Sequence, residues 1–195
     1  MNIDRYEIRL SGSGGQGIIL AALILAEAVG VYDKKEVCQT QSYGPEARGG
    51  KSRADVVISN DPIDYPKTRA LDILLAMNQA ACDAYFQDLK PQGLLLVDAM
   101  LVEQLPTDRM VSIPFTEIAR TKMLNELTAN MVALGALGNL LQAIKLKSLE
   151  KALTHRVPKK SVELNLKALR EGAKAARKID LGALPPTVTP EEEEV

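Results

Sequence analysis

Gly12-x-Gly14-x-x-Gly17 lies between a short apolar run and a stretch dominated by Ala and Leu, so a glycine turn joins a strand to a helix. Glycines let a backbone turn sharply and approach a phosphate, while the free N–H groups at a helix start point toward it. Gly12, Ser13, Gly14, Gly15, Gln16 and Gly17 are therefore candidates for binding a phosphate-bearing ligand, with the Gln16 amide as a further donor. A tight strand-to-helix turn without a ligand is the competing reading. A nicotinamide dinucleotide suits the loop poorly. The second strand ends in Gln39-Thr-Gln41-Ser42, and Asp33 and Glu36 precede it, so no acid stands where the ribose hydroxyls would be held. The Walker pattern is absent as well, because Ile18 follows Gly17.

Tyr43-Gly-Pro-Glu-Ala-Arg-Gly-Gly50 is the second unusual stretch. Gly44, Gly49 and Gly50 with the rigid Pro45 shape a loop that also carries Glu46, Arg48 and, just beyond it, Lys51. If the sheet is parallel at its first strands, this loop opens onto the same strand-end crevice as the first. Arg48 could then fork onto a phosphate or carboxylate, and Lys51 could add a point charge. Alternatively, Glu46 and Arg48 pair with each other and stiffen the loop. Tyr43, at the loop's mouth, could stack on a base or simply anchor the turn.

The elements that must position these loops follow from hydrophobic patterning. Residues 6–10, 36–42, 53–59, 71–77, 94–99 and 111–114 read as strands. Residues 18–30 read as a helix stopped by Gly30, and 79–89 as a crossover helix leaving through Pro91-Gln-Gly93. Further helices are expected over 130–146, 148–154 and 161–179, with Gly135 and Gly138 as positions where another backbone packs close. Alternation of short apolar runs with helical spacing makes this an α/β chain. Residues 185–190 are Pro-rich and 191–194 are all Glu, which predicts a flexible tail.

The chain has 195 residues, 46% hydrophobic and 25% charged, which suits one compact domain. Lys plus Arg total 24 against 25 Asp plus Glu, for a net charge of -1, so composition makes no case for nucleic acid or an anionic membrane as partner. The apolar stretch 18–26 is too short to cross a bilayer, and Asp4, Arg5, Glu7 and Arg9 break any signal-like N-terminus, so a cytoplasmic location is expected. Cys38 and Cys82 stand far apart, with no C-x-x-C pair, and cannot house an iron–sulfur cluster or a structural zinc. Both read as small apolar residues. His155, the single histidine, reads as a surface group near a helix end.

Gly12-Ser-Gly-Gly-Gln-Gly17, Gln41-Ser-Tyr-Gly-Pro-Glu-Ala-Arg-Gly-Gly50, Ser52-Arg-Ala-Asp-Val-Val-Ile-Ser59 and Asn130-Met-Val-Ala-Leu-Gly-Ala-Leu-Gly138 together resemble the gamma subunits of the 2-oxoacid:ferredoxin oxidoreductases. The wording of the second loop is most similar to the 2-oxoglutarate branch. The resemblance implies a Rossmann-like three-layer α/β fold with a mostly parallel sheet and a helical C-terminal part. It places a gamma-type catalytic domain over residues 1–180, followed by a flexible Pro-rich acidic tail over 181–195. It also implies a multi-subunit enzyme that decarboxylates a 2-oxoacid oxidatively to acyl-CoA, CO2 and reduced ferredoxin, in which this chain is not catalytic alone. Thiamine diphosphate, magnesium and iron–sulfur clusters would sit in alpha, beta and delta-type partner subunits, and ferredoxin would be met through the complex. Coenzyme A would be bound here, by the Gly12, Ser13, Gly14, Gly15, Gln16 and Gly17 loop, by Tyr43, and by Arg48 and Lys51 in the region of the CoA or of a neighbour's cofactor pocket. Gly44, Pro45, Glu46, Gly49 and Gly50 would set the second loop's position. Two rival expectations remain: a purely structural subunit of the same complex, and a stand-alone NAD(P)-binding oxidoreductase. The isolated chain could also form a homodimer.

Overall fold

Alternation along β1 (Tyr6–Ser13) sends Ile8 and Leu10 to one face of a sheet and Glu7, Arg9 and Ser11 to the other, all of them buried. The computed structural model describes residues 5–43, 51–141 and 144–188. Among these, β1 is joined by β2 (Glu36–Tyr43), β3 (Lys51–Ser59), β4 (Leu71–Ala76), β5 (Leu89–Asp98) and β6 (Met110–Ile113) in a 6-stranded sheet of order β2-β3-β1-β4-β5-β6. Strands β1, β4, β5 and β6 run parallel, whereas β3 is antiparallel to both β1 and β2.

The sheet is therefore mixed, and not parallel at its first strands. The reason is chain length: residues 44–50 are too few for the crossover of about a dozen residues that a parallel pair requires, so β2 and β3 must form a hairpin. Since β2 and β1 both oppose β3, they point the same way and end at one edge, with Ser13 level with Lys51 and Tyr43 with Ser52. The connection between β2 and β3 thus leaves from the edge where β1 ends. Residues 44–50, with Gly44, Pro45, Glu46, Arg48, Gly49 and Gly50, lie outside the described residues.

Helices α1 (Ile18–Glu27), α3 (Phe115–Lys122), α4 (Ala129–Leu140), α5 (Leu146–Arg156) and α6 (Val162–Ala176) share one large apolar core with Ile8, Leu10, Val56, Leu75 and Leu96. Helix α2 (Gln79–Tyr85) packs Ala81 and Cys82 on the opposite face against Leu74, Leu95 and Val97. The result is three layers, with the thicker helical layer supplied by the C-terminal part.

Several boundaries differ from the sequence reading. Helix α1 passes at Ala28 into a π turn ending at Tyr32 rather than stopping at Gly30. Gly30 is needed for space, because a Cβ there would lie 2.6 Å from Val37 Cγ1. The exit after α2 is already strand: β5 starts at Leu89 and shifts register against β4 between Leu71 and Ile73. The helix expected over 130–146 ends at Leu140, and α5 begins at Leu146.

The packing expected at Gly135 is present: a Cβ there would lie 1.8 Å from the Leu169 carbonyl oxygen. Gly172 of α6 returns the contact, 1.8 Å from the Val132 oxygen, so α4 and α6 touch backbone to backbone. Gly138 meets the Leu149 side chain instead.

The tail expected to be flexible from residue 181 is docked through Val188. Leu181 and Leu184 pack on the core, the Val188 N–H donates to the Pro91 carbonyl at 2.7 Å, and the Val188 side chain is buried against the α2 face. The acidic run 191–194 lies outside the described residues. Cys82 is buried, whereas Cys38 is only partly so. His155 is largely exposed, with Nδ1 2.7 Å from Glu27 Oε1, and Arg156 donates to the same carboxylate. Among the described residues no helix is long and apolar enough to cross a membrane.

Two outcomes follow from this packing. Gly172→Ala should destabilise the chain by about 3 kcal/mol, the upper range for overpacking against a rigid neighbour, and lower the thermal midpoint by about 6–12 °C; differential scanning calorimetry measures it. Burial, with the Asp83 charge adding to it, pushes the Cys82 thiol up to about 11. Iodoacetamide at pH 8 should therefore leave Cys82 unmodified in the folded chain and label it after unfolding in urea, as read by peptide mass.

Candidate functional site

The edge where β1 ends has a specific geometry. The chain leaves β1 into α1 on one face, and leaves the adjacent parallel strand β4 into α2 on the other face. Helices departing to opposite sides open a crevice between neighbouring strand ends, the place where open α/β sheets bind ligands. The first glycine loop forms one wall of it, and Met77 and Asn78 form the other.

Contacts across the crevice set the loop's shape. The Met77 N–H donates to the Ser11 carbonyl at 2.8 Å. Gln16 Oε1 accepts from the Ser13 N–H at 2.7 Å and the Ser13 hydroxyl at 3.0 Å, while Gln16 Nε2 donates to the Met77 carbonyl at 3.3 Å. Asn78 caps α2 by accepting from the Ala81 N–H, and its Nδ2 reaches the Ser13 hydroxyl at 3.3 Å. The Gln16 amide is thus a strut within the loop, where the sequence suggested a donor facing the ligand. Ser13 is likewise occupied in holding Gln16.

The glycines divide into two pairs. Gly12 and Gly17 are packed: a Cβ at Gly12 would lie 2.4 Å from Gln16 Oε1, and one at Gly17 would lie 2.2 Å from Asn130 Nδ2. Gly17 also caps α1 with φ 71°, a left-handed conformation that disfavours any side chain. Gly14 and Gly15 would meet nothing within 4 Å, so their side of the loop is open. No side chain caps α1, and its first turn holds no acid. The N–H groups at its start and its positive dipole end are therefore available to an anion.

Asn130, at the start of α4, holds the loop from behind: its Nδ2 donates to the Gly17 carbonyl at 3.0 Å. That bond fixes the amide's orientation, since a flip would set two oxygens against each other. It leaves Oδ1 of this buried residue without a partner among the described residues. Asn78 and Asn130 were not singled out from sequence. The available signals were a polar residue inside the apolar run 129–138, and an Asn immediately ahead of the helix that it caps.

On the sheet face away from α1, Arg9 and Asp55 stand opposite each other on β1 and β3. Arg9 Nε and Nη2 donate to the two Asp55 oxygens at 2.7 and 2.9 Å, and Arg9 also bonds Asp88 and Thr68. Burial works against the Arg9 charge, but the Asp55 and Asp88 carboxylates outweigh it, and the guanidinium pKa is raised. Among the described residues no group of three or more His, Cys, Asp or Glu could hold a metal ion. With two cysteines in the whole chain, the residues present do not fit an iron–sulfur cluster. Of the remaining sequence-selected residues, Tyr43 ends β2 and Lys51 starts β3, one on each side of the second loop.

The fold and these loops have relatives. Residues 7–175 match the family model described as pyruvate ferredoxin/flavodoxin oxidoreductase. Subunit KorC of 2-oxoglutarate synthase from Methanocaldococcus jannaschii is 49% identical over 182 residues, covering 90% of this chain and 96% of that one. The structure of a keto/oxoacid ferredoxin oxidoreductase gamma subunit from Geobacter sulfurreducens matches with a TM-score of 0.81 at 45% identity, over 93% of this chain and 99% of its own. A 2-oxoglutarate:ferredoxin oxidoreductase from Magnetococcus marinus, solved with 2-oxoglutarate, coenzyme A and succinyl-CoA bound, matches with a TM-score of 0.80 at 25% identity, over 91% of this chain and 32% of its own. The chain belongs to the pyruvate ferredoxin/flavodoxin oxidoreductase family, as a gamma-type subunit of such an oxidoreductase.

Proposed function

We propose that this chain serves a 2-oxoglutarate:ferredoxin oxidoreductase and receives coenzyme A at the crevice between β1 and β4. The observation that carries the reading is the open side of Gly14 and Gly15, set against the uncapped, acid-free start of α1. A diphosphate there meets backbone N–H groups, and no carboxylate in the first turn repels it. Relatives named for 2-oxoglutarate, and one solved with coenzyme A bound, support both the substrate and the ligand.

In this reading the complex converts a 2-oxoacid and CoA to acyl-CoA and CO2, with the electrons passing to ferredoxin. Thiamine diphosphate, magnesium and the iron–sulfur clusters belong to alpha, beta and delta-type partners. This chain's residues bind and orient. Gly14, Gly15 and the first N–H groups of α1 hold phosphate oxygens. Gln16, Ser13 and Asn130 keep the loop rigid, so that the thiol is directed toward the partner's centre. Lys51 starts β3 level with the end of β1; Lys51 and Arg48 would add positive charge for the same ligand, and Tyr43, the last residue of β2, would complete the loop's binding set. Leu124 and Leu127, the two most exposed large apolar side chains among the described residues, stand on the turn leading into α4 and offer contact surface to a neighbouring subunit.

The test uses the assembled complex. Gly14→Val, at a position with room for the side chain, and Arg48→Ala should each raise the KM for CoA by about tenfold or more, the cost of a charge-assisted hydrogen bond. The KM for 2-oxoglutarate should stay unchanged. An unaltered CoA KM in both variants would remove CoA from this chain. Gly17→Ala should behave differently, lowering stability because it strains φ and collides with Asn130. Steady-state assays across 2-oxoacids should give the highest kcat/KM with 2-oxoglutarate, and a preference for pyruvate would overturn the substrate assignment.

A further inference from the structure

A cavity of about 290 Å³ opens on the sheet face away from α1, between β2, β3 and the segment after β3. Arg9, Arg53 and Lys67 bring three cations to it, and Thr40, Ser42 and Thr68 bring hydroxyls. The cations differ in how they are used. Arg9 is spent, with its guanidinium divided among Asp55, Asp88 and Thr68. Arg53 and Lys67 take part in none of the ion pairs among the described residues.

Arg53 is also preorganised. Its guanidinium lies 5.5 Å from the centre of the Tyr85 ring, which Arg9 approaches at 4.9 Å. A stacked, half-buried guanidinium has lost most of its rotamer freedom and keeps its planar fork for an anion. The Asp55 and Asp88 carboxylates neutralise Arg9, which leaves Arg53 and Lys67 as the cavity's cations without an ion-pair partner among the described residues. Asp55 also lines the cavity, with both of its oxygens accepting from Arg9.

The location suggests which anion. Arg53 pairs in register with Ser11, the residue before Gly12, and with Ser42, the residue before Tyr43. The cavity therefore lies just below the sheet edge that bears the glycine loop, and it is large enough for a phosphate monoester and part of a sugar. We propose that it is the subsite for the 3′-phosphate of coenzyme A, with Arg53 as its fork and Lys67 as a second charge. This inference rests on the CoA reading above.

The experiment compares CoA with 3′-dephospho-CoA as substrates of the assembled complex carrying wild-type, Arg53→Gln, Lys67→Gln or Gly14→Val chain. Wild type should favour CoA by about tenfold or more in KM, as one charge-assisted bidentate contact provides. Arg53→Gln should raise the CoA KM to that of dephospho-CoA and leave the latter unchanged. Lys67→Gln, at an exposed residue outside the core, should narrow the discrimination in the same sense and decides the matter if the Arg53 variant does not assemble. Equal effects on both substrates, or none, would overturn the subsite. If Gly14→Val still raises the KM for both substrates, only the subsite falls. If it too is silent, the CoA reading falls with it.

Discussion

The antiparallel contact of β3 with β1 is the constraint on which the rest of the fold depends, and Arg9 and Asp55 hold its register. Both are nine-tenths buried, and each satisfies the other through two hydrogen bonds. Side chains alternate along a strand, so a slip of one residue would send Arg9 toward the apolar core beneath α1. There it would stand as an uncompensated buried charge, which costs about 3–5 kcal/mol when one partner of such a pair is lost. Glu7 extends the arrangement: its carboxylate accepts from the Arg69 and Ala70 N–H groups and from Arg5, which ties down the segment before β4. With β3 fixed against one side of β1, the other side is left for β4.

That choice makes the crevice. Since β4 is parallel to β1 and its helix leaves by the opposite face, the two strand ends part above the sheet. The glycine loop can then be open on one side and packed on the other. Its closed side is gripped by Asn130 from α4, and α4 is itself seated on α6 by the backbone contacts of Gly135 with Leu169 and of Gly172 with Val132. A mutation between α4 and α6 would thus reach the loop through one rigid helix.

Much of this was legible in the chain. The glycine loop between strand and helix, the six strand positions, and the close approach at Gly135 all follow from local residue types. The hairpin could have been read too, since seven loop residues cannot carry a parallel crossover. The fate of Gln16 was harder to see. An amide in a glycine loop looks like a ligand donor, and only the position of Met77, sixty-one residues later, shows that it serves as a strut. Likewise the Pro-rich segment resembled a free tail, yet the Val188 N–H donates to the Pro91 carbonyl and its side chain finds an apolar seat beside it.

What the sequence determined by itself was local: which segments are strands, where the backbone can turn tightly, and which family shares those words. Those properties depend on neighbours a few residues apart. What the tertiary structure decided was pairing and side: that β3 lies between β2 and β1, that two helices diverge above β1 and β4, and that Arg53, Lys67 and Tyr85 meet on one face. Such meetings depend on long-range contacts between residues that carry no mark of their partners. The charges at Glu7 and Arg9 look like solvent-facing interruptions of an apolar strand until Asp55, Asp88 and the 69–70 backbone arrive to bury them.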